Sequence, residues 1–594
     1  MSILASLSRA YDRLPGAPPY GYSAEKIGFA ISLNEDGSLA NLTDLRSGDG
    51  KKKPPRIMQV PQPAKRTVKI IPNLLWDKTS YSLGVSADAG ERTPKEHAAF
   101  VERQIEIFGQ SDDLGLKAFI AFLRQWSPEH FAPPLWPEEM KDQNVVFALE
   151  ADRLQGVFLH DREAARALAA ARVAPLGETT RALCLVTGIE APIARLHPAI
   201  KNVWGAQSSG ASIVSFNRDA FTSYGHEQGA NAPVSEAAAF KYTTALNAFL
   251  AGRSNRIQIG DASTVFWADA SDAEAAATVE NVFASLCGEA PKIDEKVQAE
   301  KVGVVLKRIR DGEVWSRIAE AVDVKLPKHV RFYILGLAPN AARISVRYWF
   351  EDDFGVLAAN YQRFLADIQV EPGPREGYPA LWRYLNETAV LRKRENVVPT
   401  LAGDWMRSIL AGTNYPLTLL SNILMRIRAD GEINALRVGM LRAVLVRNFG
   451  REPGKGDKTR EAPVALDLEN QNKGYLLGRL FAAYEQAQTA ALGRNVNATI
   501  KDKFYGSASA TPRNVFSLLD RNSANHLSKV GKERPGQRVN LEKLIGGIMG
   551  MMAPSHDPFP ASLNAEEQAL FGLGYYHQRS EFFRKSESTG QGEA

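Results

Sequence analysis

The run Ala342–Phe350, ARISVRYWF, and the run Glu371–Pro379, EPGPREGYP, divide the chain into two kinds of sequence. In the first, Ile344, Val346, Tyr348 and Phe350 alternate with Arg343, Ser345, Arg347 and Trp349. That is the period of two of a strand, whose successive side chains point to opposite faces. The second run, dense in Pro and Gly, interrupts regular structure. Upstream of it, strand-like runs at Lys26–Leu33, Ile213–Phe216, Arg256–Ile259 and Val330–Leu335 mix with helical spacings: Ala98, Val101, Ile105 and Phe108, then Leu116, Phe119, Ile120 and Leu123. Downstream, helical spacing takes over in Leu419, Leu420, Ile423 and Ile427, in Leu436, Met440, Val444 and Leu445, and in Leu477, Leu480, Phe481 and Tyr484. The fold expected is α+β. A mixed N-terminal α+β region covers 1–375, a helical region ending in the charged linker Gly450–Pro463 covers 376–463, and a C-terminal helical module covers 464–594. No fixed-period repeat appears, which disfavours solenoids and propellers.

A chain of 594 residues is too long for one ordinary core and implies two to four compact units, at roughly 100 to 200 residues each. The two cysteines, Cys184 and Cys287, lack Cys or His neighbours at metal spacing, so neither a disulfide framework nor a zinc site is expected. Met1–Ala10 has no signal-peptide pattern, and no apolar run reaches the roughly 18 residues of a membrane span, so a reducing cytoplasmic setting without a membrane partner is expected. The net charge is only +5, but it is unevenly placed. Lys51 to Trp76 holds seven basic residues and no acidic one, and Arg494 to Lys543 holds ten basic against four acidic. The remainder is therefore net acidic, and the basic surface is localised as a polyanion footprint would be. Lys51, Lys52, Lys53, Lys65 and Arg66 in the first segment are candidates for DNA-backbone contact. Lys501, Lys503, Arg513, Arg521, Lys529, Lys532, Arg534 and Arg538 are the candidates in the second.

Chemistry-bearing motifs are sparse. Asp353-Phe354-Gly355 copies a kinase tripeptide without the other motifs a kinase needs, and Gly205–Gly210 has phosphate-loop spacing but is followed by Ala211-Ser212 instead of Lys and Ser or Thr. The nine histidines include no pair at helical ligand spacing, although His197 and His226 share one polar region. Asp269, Asp272, Asp352 and Asp353 could serve a metal-dependent nuclease, but acidic residues at helix starts are more simply explained by the helix dipole. No catalytic residue, metal ligand or cofactor is assigned.

The most informative stretch is Ile193–Leu250, IARLHPAIKNVWGAQSSGASIVSFNRDAFTSYGHEQGANAPVSEAAAFKYTTALNAFL. Gly205 and Gly210 allow sharp turns before the strand expected at Ile213–Phe216, while Asn217, Ser223, Tyr224, Gln228 and Asn231 offer neutral hydrogen-bonding groups suited to positioning phosphates and sugars. With its His-Pro-x-Ile, Gly-Ala-Gln-Ser-Ser-Gly, Val-Ser-Phe-Asn, Ser-Tyr-Gly and Asn-Ala-Pro motifs in order, the stretch resembles the core of the large subunit of the CRISPR Cascade complex, subtype I-C (the Csd family). Pro18–Ile31, the run from Pro72 to Tyr81, and Tyr475–Phe481 resemble the same family, so the likeness spans essentially the whole chain.

The resemblance implies a non-catalytic subunit of an RNA-guided complex, in which guide pairing reads most of the target and protein reads a short adjacent motif in duplex DNA. Its implied partners are double-stranded target DNA, the CRISPR guide RNA, the Cascade backbone subunits and small subunit, and a transient helicase-nuclease. Asn73, Trp76, Lys78 and Thr79 become candidates for adjacent-motif recognition; Gln207, Ser208, Ser209, Asn217 and Asn231 become candidates for positioning the guide or the backbone subunits. In this family the C-terminal helices can also be made separately by internal translation. Here that would require a non-AUG start, at Val464 on this reading, since no Met lies between Met440 and Met549. Asn470 or Asn472 would cap its first helix. A scaffold that binds only protein would leave the two basic segments unexplained.

Overall fold

The computed structural model describes residues 2–584 apart from 15, 48–52, 64–69, 89, 174–179, 253, 270–272, 288–295, 322–327, 376, 378, 452–460, 494–497 and 553–556. Two compact units emerge: Met1–Pro198 with Val214–Ala245, and Ala199–Ile213 with Leu246–Ala594. The divisions expected at 375/376 and 463/464 are not unit boundaries. A single apolar core runs through the second unit from Ile259 to Tyr575, because the helix Pro399–Ala411 packs on the strand Arg343–Asp353, the helix Ala435–Phe449 packs on Phe354–Ile368, and the later helices pack on these in turn. Most of the Gly450–Pro463 linker lies outside the described residues.

In the first unit the strands are β1 (Tyr22–Ile27), β2 (Phe29–Leu33), β3 (Leu39–Asp44), β4 (Arg56–Pro61), β5 (Trp76–Lys78), β6 (Asn144–Leu149), β7 (Arg181–Leu183) and β8 (Glu190–Pro192). They form a sheet of order β3-β2-β6-β5 and two separate pairs, β1-β4 and β7-β8. Strands β2 and β6 run parallel, with Ile31 opposite Phe147, and lie between antiparallel neighbours. Alternation sends Phe29, Ile31, Leu33, Val145 and Phe147 to one face, against the helices Arg92–Phe108 and Leu114–Gln125. Ala30, Val146 and Ala148 go to the other, with Trp76 and Val60. Asp113 starts the helix Leu114–Gln125 by accepting the Leu116 N–H at 3.0 Å.

The second unit holds β9 (Arg256–Ile259), β10 (Ala262–Asp269), β11 (Arg331–Asn340) and β12 (Arg343–Asp353), in the antiparallel order β12-β11-β10-β9. The alternation read in Ala342–Phe350 is broken at Arg347. Tyr348 pairs with Gly336 and Val346 with Leu337, so Arg347 bulges out of register and pairs with Asp261 instead. Ile344 and Tyr348 stay buried, whereas Val346 is 41% exposed. The strand expected at Ile213–Phe216 does not form. Only Ala211 and Ser212 make bridges, to Ile200 and Arg343, before the chain passes from the second unit to the first.

The C-terminal helices Lys473–Leu492, Ile500–Ala510, Phe516–Glu533, Pro535–Gly550 and Ala565–Glu581 form a bundle. Asn472, not Asn470, caps the first of them through the Tyr475 N–H. Its closest packing is with Ala565–Glu581, where glycines replace side chains. A Cβ on Gly478 would lie 2.1 Å from the Phe571 carbonyl oxygen and one on Gly574 2.2 Å from that of Tyr475, so the two backbones touch. Among the described residues, no helix is long and apolar enough to cross a membrane.

Candidate nucleic-acid interface

The segment Asn73–Thr79 is wound into the first unit. Asp77, fully buried, accepts the N–H groups of Asn73 and Lys78, both at 2.8 Å. The buried Gln104 clamps the same turn from the helix Arg92–Phe108: its amide donates to the Asn73 carbonyl at 2.8 Å and accepts the Leu75 N–H at 3.0 Å. Leu75 is thereby held at φ +62°. The Trp76 indole donates to the Pro61 carbonyl at 2.8 Å, and the Thr79 hydroxyl accepts the Asp142 N–H at 2.8 Å. Asn73, Trp76 and Thr79 are all buried, and of the four candidates only Lys78 has an exposed side chain. Offering Asn73, Trp76 and Thr79 to a base edge is therefore corrected: all three are buried, and the Trp76 indole N–H and the Thr79 hydroxyl are engaged within the fold. Gln104 was missed, although it stands on the buried stripe Phe100, Gln104, Phe108, and a polar residue in such a stripe implies a buried partner.

The stretch with neutral donors is divided between the units. Gln207, Ser208 and Ser209 are exposed on a loop of the second unit, closed by the Gly210 N–H to the Gln207 carbonyl at 2.9 Å. Gly210, at φ +92°, admits no Cβ, which would meet Ala199 and the Ile200 carbonyl at 2.9 Å each. Asn217 and Asn231 belong to the first unit. Asn231 accepts the Ser223 N–H at 3.1 Å and donates to the Gln228 carbonyl at 3.1 Å, which makes it a loop brace.

Of the basic candidates, Lys51, Lys52, Lys65 and Arg66 lie outside the described residues. Lys53 is exposed, 3.9 Å from Asp44. In the C-terminal bundle several are engaged: Arg513 pairs with Asp557 at 2.6 Å, Arg538 with Glu542 at 2.8 Å, Lys501 lies 4.0 Å from Asp502, and Arg534 donates to the Ala490 carbonyl. Lys503, Arg521, Lys529 and Lys532 are exposed, and the ion pairs among the described residues do not include them. Three share the helix Phe516–Glu533, whose opposite face buries Phe516, Leu519, Leu527 and Val530. At 3.6 residues per turn, Arg521, Lys529 and Lys532 fall within an arc of about 80° and span about 16 Å along the axis. That is a cationic ridge fixed by the amphipathic pattern of its own helix.

The remaining motifs have structural roles. Asp353 caps the helix Phe354–Ile368 through the Gly355 N–H at 2.7 Å, and Phe354 packs on Trp315, which accounts for the kinase-like tripeptide. Asp352 accepts the Asp353 N–H, Asp269 lies opposite Arg331 in the sheet, and Asp272 is outside the described residues. His197 and His226 do not converge. The His197 ring meets the Tyr242 hydroxyl at 2.6 Å, and burial lowers its pKa, while His226 sits in an exposed turn. Both cysteines are free and buried; burial pushes the Cys287 thiol up to about 12. Among the described residues no three His, Cys, Asp or Glu side chains are grouped to hold a metal.

The family model described as CRISPR-associated protein (Cas_Csd1) matches residues 7–583 of the chain. No curated protein matches it.

Proposed function

Because the chain belongs to the CRISPR-associated Csd1 family, we propose that it is the non-catalytic large subunit of an RNA-guided Cascade complex in antiviral defence. In this reading it works in the cytoplasm with guide RNA, target DNA, backbone subunits and a small subunit. It reads a motif adjacent to the target, supports R-loop formation and receives a helicase-nuclease. The observation that carries the nucleic-acid part is the ridge of Arg521, Lys529 and Lys532, whose side chains are exposed on the side of their helix opposite the buried Phe516, Leu519, Leu527 and Val530. Each cation that neutralises a phosphate releases a counterion, which favours binding without reading sequence. Reading of the adjacent motif is assigned to Lys78. Asn73, Trp76, Asp77 and Thr79 set the backbone from which Lys78 projects.

A separate C-terminal product starting at Val464 fits the bundle's internal packing through Gly478 and Gly574. Such a product would forgo the Arg451–Glu566 ion pair and the contact of the Tyr576 hydroxyl with the Pro372 carbonyl, both of which tie the bundle to upstream chain. Purification of the chain from its host, with sequencing of bound RNA and intact-mass analysis of a C-terminally tagged form, tests these points together. Guide RNA and a second product of about 131 residues are expected. Divalent-metal-dependent cleavage of DNA by the purified chain would favour a nuclease instead.

A further inference from the structure

We propose that Tyr224 is an aromatic platform on which an unpaired nucleobase stacks, an inference that rests on the RNA-guided reading above. Tyr224 is 99% exposed, the most exposed of the large apolar or aromatic side chains described. It also holds φ +51° beside Gly225 at φ +76°, and the His226 N–H closes the turn on the Ser223 carbonyl at 2.9 Å. Two successive left-handed residues make a tight hairpin turn that favours Asn-Gly; a tyrosine in the first of these positions is disfavoured. Nothing in the fold of the turn itself uses the ring, so the conformation is maintained by its surroundings.

Those surroundings are rigid. Besides the Asn231 brace, the Arg195 guanidinium donates to the Gln228 side chain at 2.5 Å, and the Gly229 N–H donates to the Arg195 carbonyl at 3.1 Å. A Cβ on Gly229 would lie 2.0 Å from the Ala194 carbonyl oxygen, so the loop is seated directly on the backbone below it. The backbone that carries the ring is therefore fixed in the free chain, so binding has only the side-chain rotamer left to order.

The neighbourhood identifies the ligand as a base rather than an apolar pocket of another protein. Protein hot spots sit within an apolar patch that excludes water. Within the loop 214–234 Tyr224 is the sole large apolar or aromatic side chain that is exposed, while the exposed Leu185 and Leu196 stand on the segments the loop is bonded to, through the Leu185 N–H to the Pro233 carbonyl and the Gly229 N–H to the Arg195 carbonyl. Its exposed sequence neighbours include Asn217, Arg218, Asp219, Thr222, Ser223, His226 and Glu227, all polar. One aromatic face set among polar groups of both charges suits a splayed-out base, since every base presents a π-face, and leaves the phosphates to be held elsewhere.

The test uses the complex assembled with guide RNA. A photoreactive phenylalanine analogue in place of Tyr224 should cross-link to guide RNA or to matched target DNA. Tyr224→Asn, which tolerates the left-handed backbone, should weaken either guide retention or DNA binding about 5- to 150-fold, while Tyr224→Phe stays within about twofold of the parent. The strand affected identifies the base. Cross-linking to a protein subunit alone, or unchanged binding of both strands by Tyr224→Asn, overturns the proposal and leaves the RNA-guided reading standing. A parent complex that holds no nucleic acid overturns both.

Discussion

Two segments expected to touch DNA, one to read the adjacent motif and one to follow the backbone, ended in opposite places. Asn73–Thr79 and the helix Phe516–Glu533 both mix polar and basic side chains with large apolar ones. The first is folded around the buried Asp77 and Gln104, and the second carries its cations on a face that nothing in its own bundle covers. Residue type alone does not separate them; regular spacing does. In Phe516–Glu533 the buried Leu519, Leu527 and Val530 leave Arg521, Lys529 and Lys532 outward, whereas Asn73–Thr79, a turn running into the three-residue strand β5, is too short to carry a period from which to read a face.

The comparison predicts that damage to the first segment is read as lost stability. Trp76→Ala removes a buried ring and should destabilise the first unit by about 3 to 5 kcal/mol in urea titrations. Asp77→Ala, which strands two buried N–H groups, should cost about 2 to 5 kcal/mol. Normal stability with lost motif discrimination in Trp76→Ala would break the comparison.

A pH effect comes next. His160 is buried in the first unit, and its pKa is lowered to about 4 by burial, with Arg166 acting in the same direction and Asp161 opposing. The folded state thus keeps the ring neutral at a pH where the unfolded chain takes up a proton. Stability should fall as pH drops from about 6.5 towards 4, by up to about 1.4 kcal/mol per pH unit, and level off below. Urea titrations at pH 7 and pH 5 measure this, and His160→Leu should remove that part of the slope.

Lys78→Ala isolates the one outward side chain of the first segment. Its stability should match the parent within about 0.5 kcal/mol, while discrimination between matched and altered flanking motifs weakens by about 1 to 3 kcal/mol in competition binding by the assembled complex. An equal loss of discrimination in Thr79→Ala at full stability would move the contact back onto the buried turn.

How much was legible follows from the same distinction. The α+β class and the helices were open to reading because periods of two and 3.6 survive in segments such as β1 and Leu417–Asp430. The bulge at Arg347 was not, since it depends on the register that β12 takes against Gly336 and Leu337 of its hairpin partner β11 and on Asp261, which is remote in sequence. Ile213–Phe216 has strand composition, but its backbone pairs only at Ala211 and Ser212, a consequence of where the chain changes unit. Of the candidate interface, the exposed cations of Phe516–Glu533 follow from helical spacing. The partners of Arg513 and Arg534, namely Asp557 and the Ala490 carbonyl, are set by tertiary packing and could not be read locally.

The salt dependence of binding by the assembled complex tests the central claim most directly. With Arg521, Lys529 and Lys532 all replaced by alanine, the slope of log K against log salt should become shallower by about 2, near 0.7 per lost contact, at unchanged thermal stability. A slope identical to that of the parent would contradict the assignment of this helix to nucleic acid.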